Sequence, residues 1–216
     1  MSEKMDRRKL RTKNLLRKAL LELIEEKGVD AITVSDITNR AGLNRGTFYL
    51  HYQDVSDLLE QNKSEVYGGL REIIVQLSFL ELFNYASKDE PYPKITRIFE
   101  FCKFHSEFFK VILGPKGDPS FLEQISRFMQ NQLSQKIPEW QPQQNKVIVP
   151  LGYLITFVIS ANMGILQHWF AMGLKETPTE LALIITRIVS QGVIASAGLS
   201  PTTIPVQESG TGTYLN

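Results

Sequence analysis

The apolar residues of this chain recur with the period of an α-helix along almost its whole length. No alternating pattern typical of a β-strand persists for more than a few residues. The first apolar stripe, which Gly28 ends, consists of Leu16, Leu20, Leu23 and Ile24. Such stripes, with their capping and turn residues, predict helices over residues 8–27, 33–41, 44–51, 54–77, 94–113, 120–137, 145–174 and 179–197. The sequence therefore predicts an all-α fold with at least eight helices.

Charge is distributed unevenly along the chain. The 216 residues carry 24 basic and 23 acidic side chains, so the formal net charge is only +1. Residues 1–20 alone contain eight basic and two acidic side chains, which gives this segment a local charge of +6. The basic residues are Lys4, Arg7, Arg8, Lys9, Arg11, Lys13, Arg17 and Lys18. We expect this basic arm to neutralise phosphates of a nucleic acid.

Several other classes of protein are not expected. A single cysteine, Cys102, allows no intramolecular disulfide, and three scattered histidines do not predict a zinc site. Charged residues interrupt the apolar residues near the N-terminus, so no secretory signal is predicted and we expect a cytoplasmic protein. The sequence contains no glycine-rich phosphate loop, serine elbow or paired histidine motif. We therefore predict no catalytic residues, no metal, no cofactor and no enzymatic activity.

Residues 33–52 have the pattern of a helix-turn-helix: a capped short helix, a turn with glycine, and a second short helix. Thr33 is placed to cap the first helix, and Gly42 allows the turn a positive φ. An arginine at the start of the second helix, Arg45, can bind guanine O6 and N7 with two hydrogen bonds. The predicted DNA-contacting residues are Thr33, Ser35, Asn44, Arg45, Gly46, Thr47, Tyr49 and His51. The alternative is a helical interaction protein in which this hairpin is a fold element and does not read DNA.

Residues 7–59 resemble the N-terminal domain of the TetR/AcrR family of bacterial transcription regulators. The resemblance rests on Gly28 and on the strings ALLELI at 19–24, TVSDI at 33–37, AGL at 41–43 and GTFYLHY at 46–52. It implies a three-helix DNA-binding domain, a helical domain for ligand binding and dimerisation, and a symmetric dimer on a palindromic operator. Two positions depart from the family pattern: Val55 stands where a lysine is common, and Thr38 where alanine is usual. Residues 168–182, HWFAMGLKETPTELA, are similar to the subgroup that includes regulators of dihydroxyacetone kinase operons.

This resemblance, with the residue patterns, predicts three regions. Residues 1–53 form the basic arm and the DNA-binding domain, residues 54–199 the effector-binding and dimerisation domain, and residues 200–216 a disordered tail. Residues 147–174 contain no charged side chain, which we interpret as a dimer-core helix in preference to a membrane span. The expected partners are a palindromic double-stranded DNA operator, a second copy bound through the last two long helices, and a small-molecule effector. In this hypothesis the effector releases a repressor from its operator.

The effector pocket is the part that the sequence specifies least. Candidate lining residues are Phe104, His105, Phe108, Met163 and Gln167, because aromatic and apolar side chains with a few polar groups form most ligand pockets. For each of them a place in the core is the alternative. The string YGG at 67–69 is a candidate transmitter between the domains, since glycines weaken a helix. The alternative role of this glycine pair is close packing.

Overall fold

The computed structural model describes residues 2–140 and 149–196. Within these residues it contains ten α-helices, a 3-10 turn at Val29–Ala31, and no strand, which confirms the all-α class. The helices are α1 Ser2–Lys27, α2 Val34–Ala41, α3 Arg45–Tyr49, α4 Val55–Ile74, α5 Phe79–Ala86, α6 Pro93–Phe104, α7 Ser106–Ile112, α8 Pro119–Trp140, α9 Leu151–Ala171 and α10 Pro178–Ser196. The candidate tail at 200–216 lies outside the described residues.

Helices α1 to α3 pack around a small apolar core. The side chains of Leu16, Leu20, Ile37 and Phe48 are all fully buried there. Removing such a side chain from water stabilises the fold by about 1.5–3 kcal/mol. Arg40 adds a link between α2 and α1, because its guanidinium donates two hydrogen bonds to the Glu26 carboxylate at 2.8 and 2.9 Å.

The remaining helices extend this core around Trp169 of α9. This indole is almost fully buried, and its Nε1 donates a hydrogen bond to the Glu176 carbonyl at 3.0 Å. Phe99 of α6 meets the indole edge to face, with ring centroids 5.4 Å apart. Helix α4 packs closely on α6: a Cβ atom added at Gly69 would lie 2.6 Å from Cε2 of Phe101. The glycine there therefore permits close approach of the two helices.

Helix α5 was not predicted from the sequence, which suggested that the helix after residue 54 reaches residue 77. Instead α4 ends at Ile74, and Ser78 caps a new helix by accepting a hydrogen bond from the Glu81 amide at 3.5 Å. The helical period of the apolar residues continues across this break, so the sequence pattern did not indicate that α4 ends at Ile74. Lys136 donates to the carbonyls of Val75 and Leu77, a contact from distant α8 that stabilises the turn.

The single helix predicted over residues 94–113 is also wrong. His105 has φ −96° and ψ 29°, which separates α6 from α7. The break places Phe104 and Phe108 in different surroundings, since Phe104 is 83% exposed and Phe108 only 5%. The two side chains therefore do not share one helical face, as the sequence pattern had suggested.

Other boundaries differ by smaller amounts. Helix α1 begins at Ser2, and not near residue 8, so the basic arm is a continuation of the first helix. Helix α9 begins after Pro150, and residues 145–148 of the predicted helix lie outside the described part of the chain. Gly192 interrupts α10 with φ 78° and ψ 167°.

Candidate functional site

Thr33 and Asp36 fix the start of α2. The Thr33 hydroxyl accepts a hydrogen bond from the Asp36 amide at 3.2 Å, and the Asp36 carboxylate accepts one from the Thr33 amide at 2.8 Å. This reciprocal arrangement is a capping box, and it confirms the capping position predicted for Thr33. Lys27 of α1 binds the same carboxylate at 2.8 Å. Hydrogen bonds from Lys27 and Thr33 hold the pKa of Asp36 well below its usual range.

The turn after α2 depends on Gly42. Its φ of 64° is in the left-handed region, which glycine occupies at little cost. The Leu43 amide then donates to the Thr38 carbonyl at 2.9 Å. Thr38 itself is buried, and its hydroxyl donates to the Val34 carbonyl at 2.9 Å. A threonine therefore fits where the family pattern favours alanine, because its polar atom is satisfied within the helix.

Helix α3 is anchored by one face and exposed on the other. Phe48 is fully buried, whereas the neighbouring Tyr49 is 58% exposed. Arg45 and Gly46 are also exposed, and nothing lies within 4 Å of a Cβ atom placed on Gly46. Asn44 occupies the capping position of α3, but its side chain forms no capping hydrogen bond. The outer surface of α3 is therefore accessible to a binding partner.

The structure brings Arg45 and Ser35 together. The Arg45 Nε donates to the Ser35 hydroxyl oxygen at 3.1 Å, and Nη2 contacts the same oxygen. Ser35 thus orients the Arg45 guanidinium. From the sequence alone, its hydroxyl was expected to contact DNA directly. The Thr33 hydroxyl is likewise engaged, in the capping box of α2. These two residues lie beside the exposed surface of α3 and support it.

The basic arm lies next to the end of α3. Lys13 is placed over the ring of Tyr52, with Nζ 5.9 Å from the ring centroid. Burial lowers the pKa of His51, and the positive charges of Lys13 and Lys9 lower it further. The fold therefore favours the neutral imidazole of His51, which can either donate or accept a hydrogen bond. The sequence did not predict the contact between Lys13 and the Tyr52 ring, because these residues are almost forty positions apart.

Two family models match this chain. One, described as "Bacterial regulatory proteins, tetR family", matches residues 16–61, and the other, "Transcriptional regulator C-terminal region" of the TetR type, matches residues 89–191. The chain belongs to the TetR family of transcriptional regulators. The resemblance seen in the N-terminal strings is thereby confirmed, and it extends to the C-terminal helices.

Two relatives agree with this assignment over part of the chain. The chain is 44% identical over 59 residues to "Uncharacterized HTH-type transcriptional regulator YxbF", and 44% over 41 residues to "Uncharacterized HTH-type transcriptional regulator YvdT", both from Bacillus subtilis. These matches cover 27% and 19% of this chain, but only 16% and 21% of the length of the two relatives.

Two solved structures share the fold of this TetR-family chain. A TetR regulator from Streptococcus agalactiae has a TM-score of 0.57 and 22% identity, covering 88% of this chain and 99% of that one. A regulator called FadR from Bacillus subtilis, in complex with stearoyl-CoA, has a TM-score of 0.52 and 16% identity, covering 83% of this chain and 98% of that one. At these identities the likeness concerns the fold alone.

The C-terminal helices of this TetR-family protein enclose an apolar cavity of about 130 Å³. It lies among α4, α5, α6, α8, α9 and α10, and Leu70, Phe99 and Ile125 form part of its wall. Met163 lines this cavity, as one of the five candidate pocket residues. Cys102 also lines it, and burial raises the pKa of its thiol far above the ordinary value.

The other four pocket candidates lie elsewhere. Phe104, His105 and Phe108 border a different, more polar cleft that also includes Arg17 and Glu65. Gln167 is exposed on α9 and lines neither space. Sequence reasoning missed the cavity walls contributed by α4, α5 and α8, because no local pattern shows which apolar faces leave a gap between them. Among the described residues, no group of three His, Cys, Asp or Glu side chains could hold a metal ion.

The polar cleft joins the first three helices to the rest of the molecule. The Arg17 guanidinium of α1 donates two hydrogen bonds to the Glu65 carboxylate of α4. The bond from Nη1 to Oε1 measures 2.9 Å, and Nη2 donates to Oε2. A hydrogen bond from Arg17 lowers the pKa of Glu65. Burial lowers the pKa of His105, which borders the same cleft.

A turn at residues 113–118 makes a second connection. Lys116 donates to the Glu26 carbonyl at the end of α1, with 2.5 Å between the two atoms. Asp118 accepts a hydrogen bond from Lys63 of α4 at 2.6 Å, and Lys63 is only 6% exposed. Burial acts to lower the pKa of Lys63, but hydrogen bonds to Asp118 and Glu60 outweigh it, so the pKa is raised. The turn therefore binds both α1 and α4.

The outer face of α9 is apolar and uncovered in the single chain. Tyr153 is 75% exposed and Phe157 58%, and Ile184 of α10 is 39% exposed. Within the described residues, Leu151–Ala171 is long and apolar enough to cross a membrane by length and composition. One such helix is weak support for a membrane span, because the core helix of a bundle passes the same test.

Proposed function

We propose that this TetR-family regulator is a dimeric repressor that a small-molecule effector releases from a palindromic operator. The proposal includes a cytoplasmic location and the division into a DNA-binding domain at 1–53 and an effector domain at 54–199. The observation that carries it is the exposed surface of α3, where Arg45 and Tyr49 project from a helix that buried Phe48 anchors. The partly similar fold of a FadR solved with stearoyl-CoA supports a ligand for the cavity, without indicating which one.

The N-terminal helices supply the DNA contacts in this proposal. Helix α3 enters the major groove, where the guanidinium of Arg45, oriented by Ser35, binds a base edge. Tyr49 and Thr47 bind the neighbouring backbone, and His51 lies at the end of the same surface. The basic arm of α1 follows the flanking phosphates. Two such surfaces in a symmetric dimer would meet half-sites about one helical turn apart.

The uncovered faces of α9 and α10 supply the dimer contact. Tyr153 and Phe157 lie one turn apart on α9, and Gly164 continues the same stripe with no side chain. An apolar stripe with a small residue lets two helices approach closely, as in the bundle interfaces of obligate dimers. Replacing Phe157 with arginine should convert the dimer into a monomer, which sedimentation velocity would detect.

Helix α4 connects the two functions. It starts directly after α3 and its later residues, Leu70 and Ile74, line the apolar cavity. An effector that binds more tightly to one position of α4 than to another shifts the protein between a DNA-binding state and a released state. The Arg17–Glu65 contact and the turn at 113–118 carry the movement to α1.

The test is selection of bound sequences from random duplex DNA by the purified full-length protein at physiological salt. We expect a palindromic motif, and we expect Arg45→Ala and Tyr49→Ala each to lose it while the dimer remains intact. Arg97→Ala is the matched control, because Arg97 is exposed on α6, outside the proposed DNA surface. A folded dimer that selects no motif would refute the proposal and favour a helical interaction protein that does not read DNA.

A further inference from the structure

The apolar cavity has a cationic group at its edge. Most of its wall is aliphatic or aromatic, but Lys136 of α8 also lines it, together with Gln132 one turn earlier on the same helix. The Lys136 Nζ donates to the carbonyls of Val75 and Leu77, each at 2.8 Å. A lysine ammonium has three donors, so one remains for a further partner.

No acidic side chain lines this cavity among the residues that the structure describes. The carboxylate of Glu81, which lies beside the wall residue Tyr92, accepts a hydrogen bond from the Tyr92 hydroxyl at 2.8 Å and pairs with Lys94 at 2.7 Å. The amide of Asn162, another polar group of the wall, donates to the Val158 carbonyl at 2.7 Å. Lys136 therefore brings a positive charge to an apolar space without a carboxylate from the wall to balance it.

The size of the cavity limits what can occupy it. A volume of about 130 Å³ is close to that of an engineered apolar cavity, about 150 Å³, that binds benzene. One aromatic ring or a short aliphatic chain would therefore fill it. Such a group would replace empty space with dispersion contacts on nearly every side.

We propose that the effector is a small organic anion, with a carboxylate bound by Lys136 and Gln132 and an aromatic or short aliphatic body in the apolar cavity. The inference rests on the proposed function, because it names the chemical class of the effector for that same domain. A carboxylate that accepts from the third donor of Lys136 also draws the ammonium away from the carbonyls of Val75 and Leu77. Binding would thus loosen the end of α4, the helix that leads to the DNA-binding surface.

The experiment compares acids with their uncharged amides by isothermal titration of the full-length dimer. The probe pairs are benzoate with benzamide and hexanoate with hexanamide. We expect at least one acid to bind tenfold or more tightly than its amide, because charge-assisted hydrogen bonds are about twice as strong as neutral ones. Lys136→Gln should remove this preference, since it keeps an amide donor and loses the charge. Lys136→Met is the second variant, in case glutamine disturbs the turn.

Lys103→Gln is the matched control, because Lys103 is exposed on α6 and does not line the cavity. Equal binding of acid and amide, or an acid preference that survives in both Lys136 variants, would overturn the proposal. Failure of all four probes to bind at millimolar concentration would overturn it as well. Operator selection with the same preparation separates these results from a failure of the regulator function, since selection requires no effector.

Discussion

Gly68 and Gly69 are adjacent in α4, yet a methyl group should have opposite effects at the two positions. A Cβ at Gly68 would have no atom within 4 Å, whereas a Cβ at Gly69 would lie 2.6 and 2.7 Å from two ring atoms of Phe101. Replacing glycine with alanine inside a helix stabilises it by about 0.5–1 kcal/mol. We therefore expect Gly68→Ala to raise the free energy of unfolding by about that amount.

At Gly69 the same gain is opposed by overpacking, which costs about 1–3 kcal/mol in a packed interior. The Phe101 ring cannot move freely, because it also contacts the His105 ring with 4.4 Å between centroids. Since the helix-propensity gain is common to both variants, their difference in unfolding free energy should be about 1–3 kcal/mol, with Gly69→Ala the less stable.

Urea unfolding followed by far-UV circular dichroism, at one fixed protein concentration, measures this difference. Equal stability of the two variants would refute the reasoning, because it would show that Phe101 yields without cost. The same pair of proteins tests the role of the glycines. If they act as a flexible joint, Gly68→Ala should change the effector response as strongly as Gly69→Ala does. If Gly69 serves only close packing, Gly68→Ala should leave the response unchanged.

Three further predictions concern capping, a buried charge and pH. Thr33→Ala should lower the free energy of unfolding by about 1 kcal/mol through loss of the N-cap, with Thr33→Ser, which keeps the hydroxyl, as the control in chemical denaturation. Lys63→Met should lower the free energy of unfolding by about 1–3 kcal/mol, because Asp118 loses its cation. In the same measurement Asp118→Asn should lower it by less, since the asparagine amide oxygen still accepts a hydrogen bond from Lys63. Stability should fall as pH drops below about 6.5, because the fold lowers the pKa values of His51 and His105 and the unfolded chain then binds more protons. His105→Gln should make that fall shallower between pH 7 and pH 5.5, and an unchanged slope would contradict this explanation.

The features that the sequence predicted correctly depend on neighbouring residues. Thr33 caps α2 through a residue three positions later, and the helix predicted from residue 54 begins there because the Asp54 side chain accepts from the Asp57 amide at 2.8 Å. Gly42 ends α2 because glycine alone occupies the left-handed region cheaply. Each of these signals is complete within one turn of helix, so the residue order suffices to read it.

The features that it did not predict depend on contacts between distant segments. Apolar residues continue through His105 with a helical period, yet α7 is separated from α6 there and packs against α1 and α9. The pairing of Arg45 with Ser35, and the position of Lys136 at the cavity, follow from how the helices are arranged. Four of the five candidate pocket residues fell outside the cavity for the same reason. A helical face can be read from sequence, but the helix that covers it cannot.

The turn at 113–118 has a consequence for the construction of hybrid regulators. Its Lys116 needs the carbonyl of residue 26 at the end of α1, and Lys110 of α7 pairs with Glu25 at 3.0 Å. The turn packs closely on α7 at Gly117, because a Cβ there would overlap the Ile112 carbonyl oxygen. A chimera that joins residues 54–196 to the DNA-binding helices of another regulator would keep these contacts only if the donor helix ends at the same point. The end of α1 must therefore be transferred together with residues 54–196, because a boundary placed between α3 and α4 would break contacts that these two parts of the chain share.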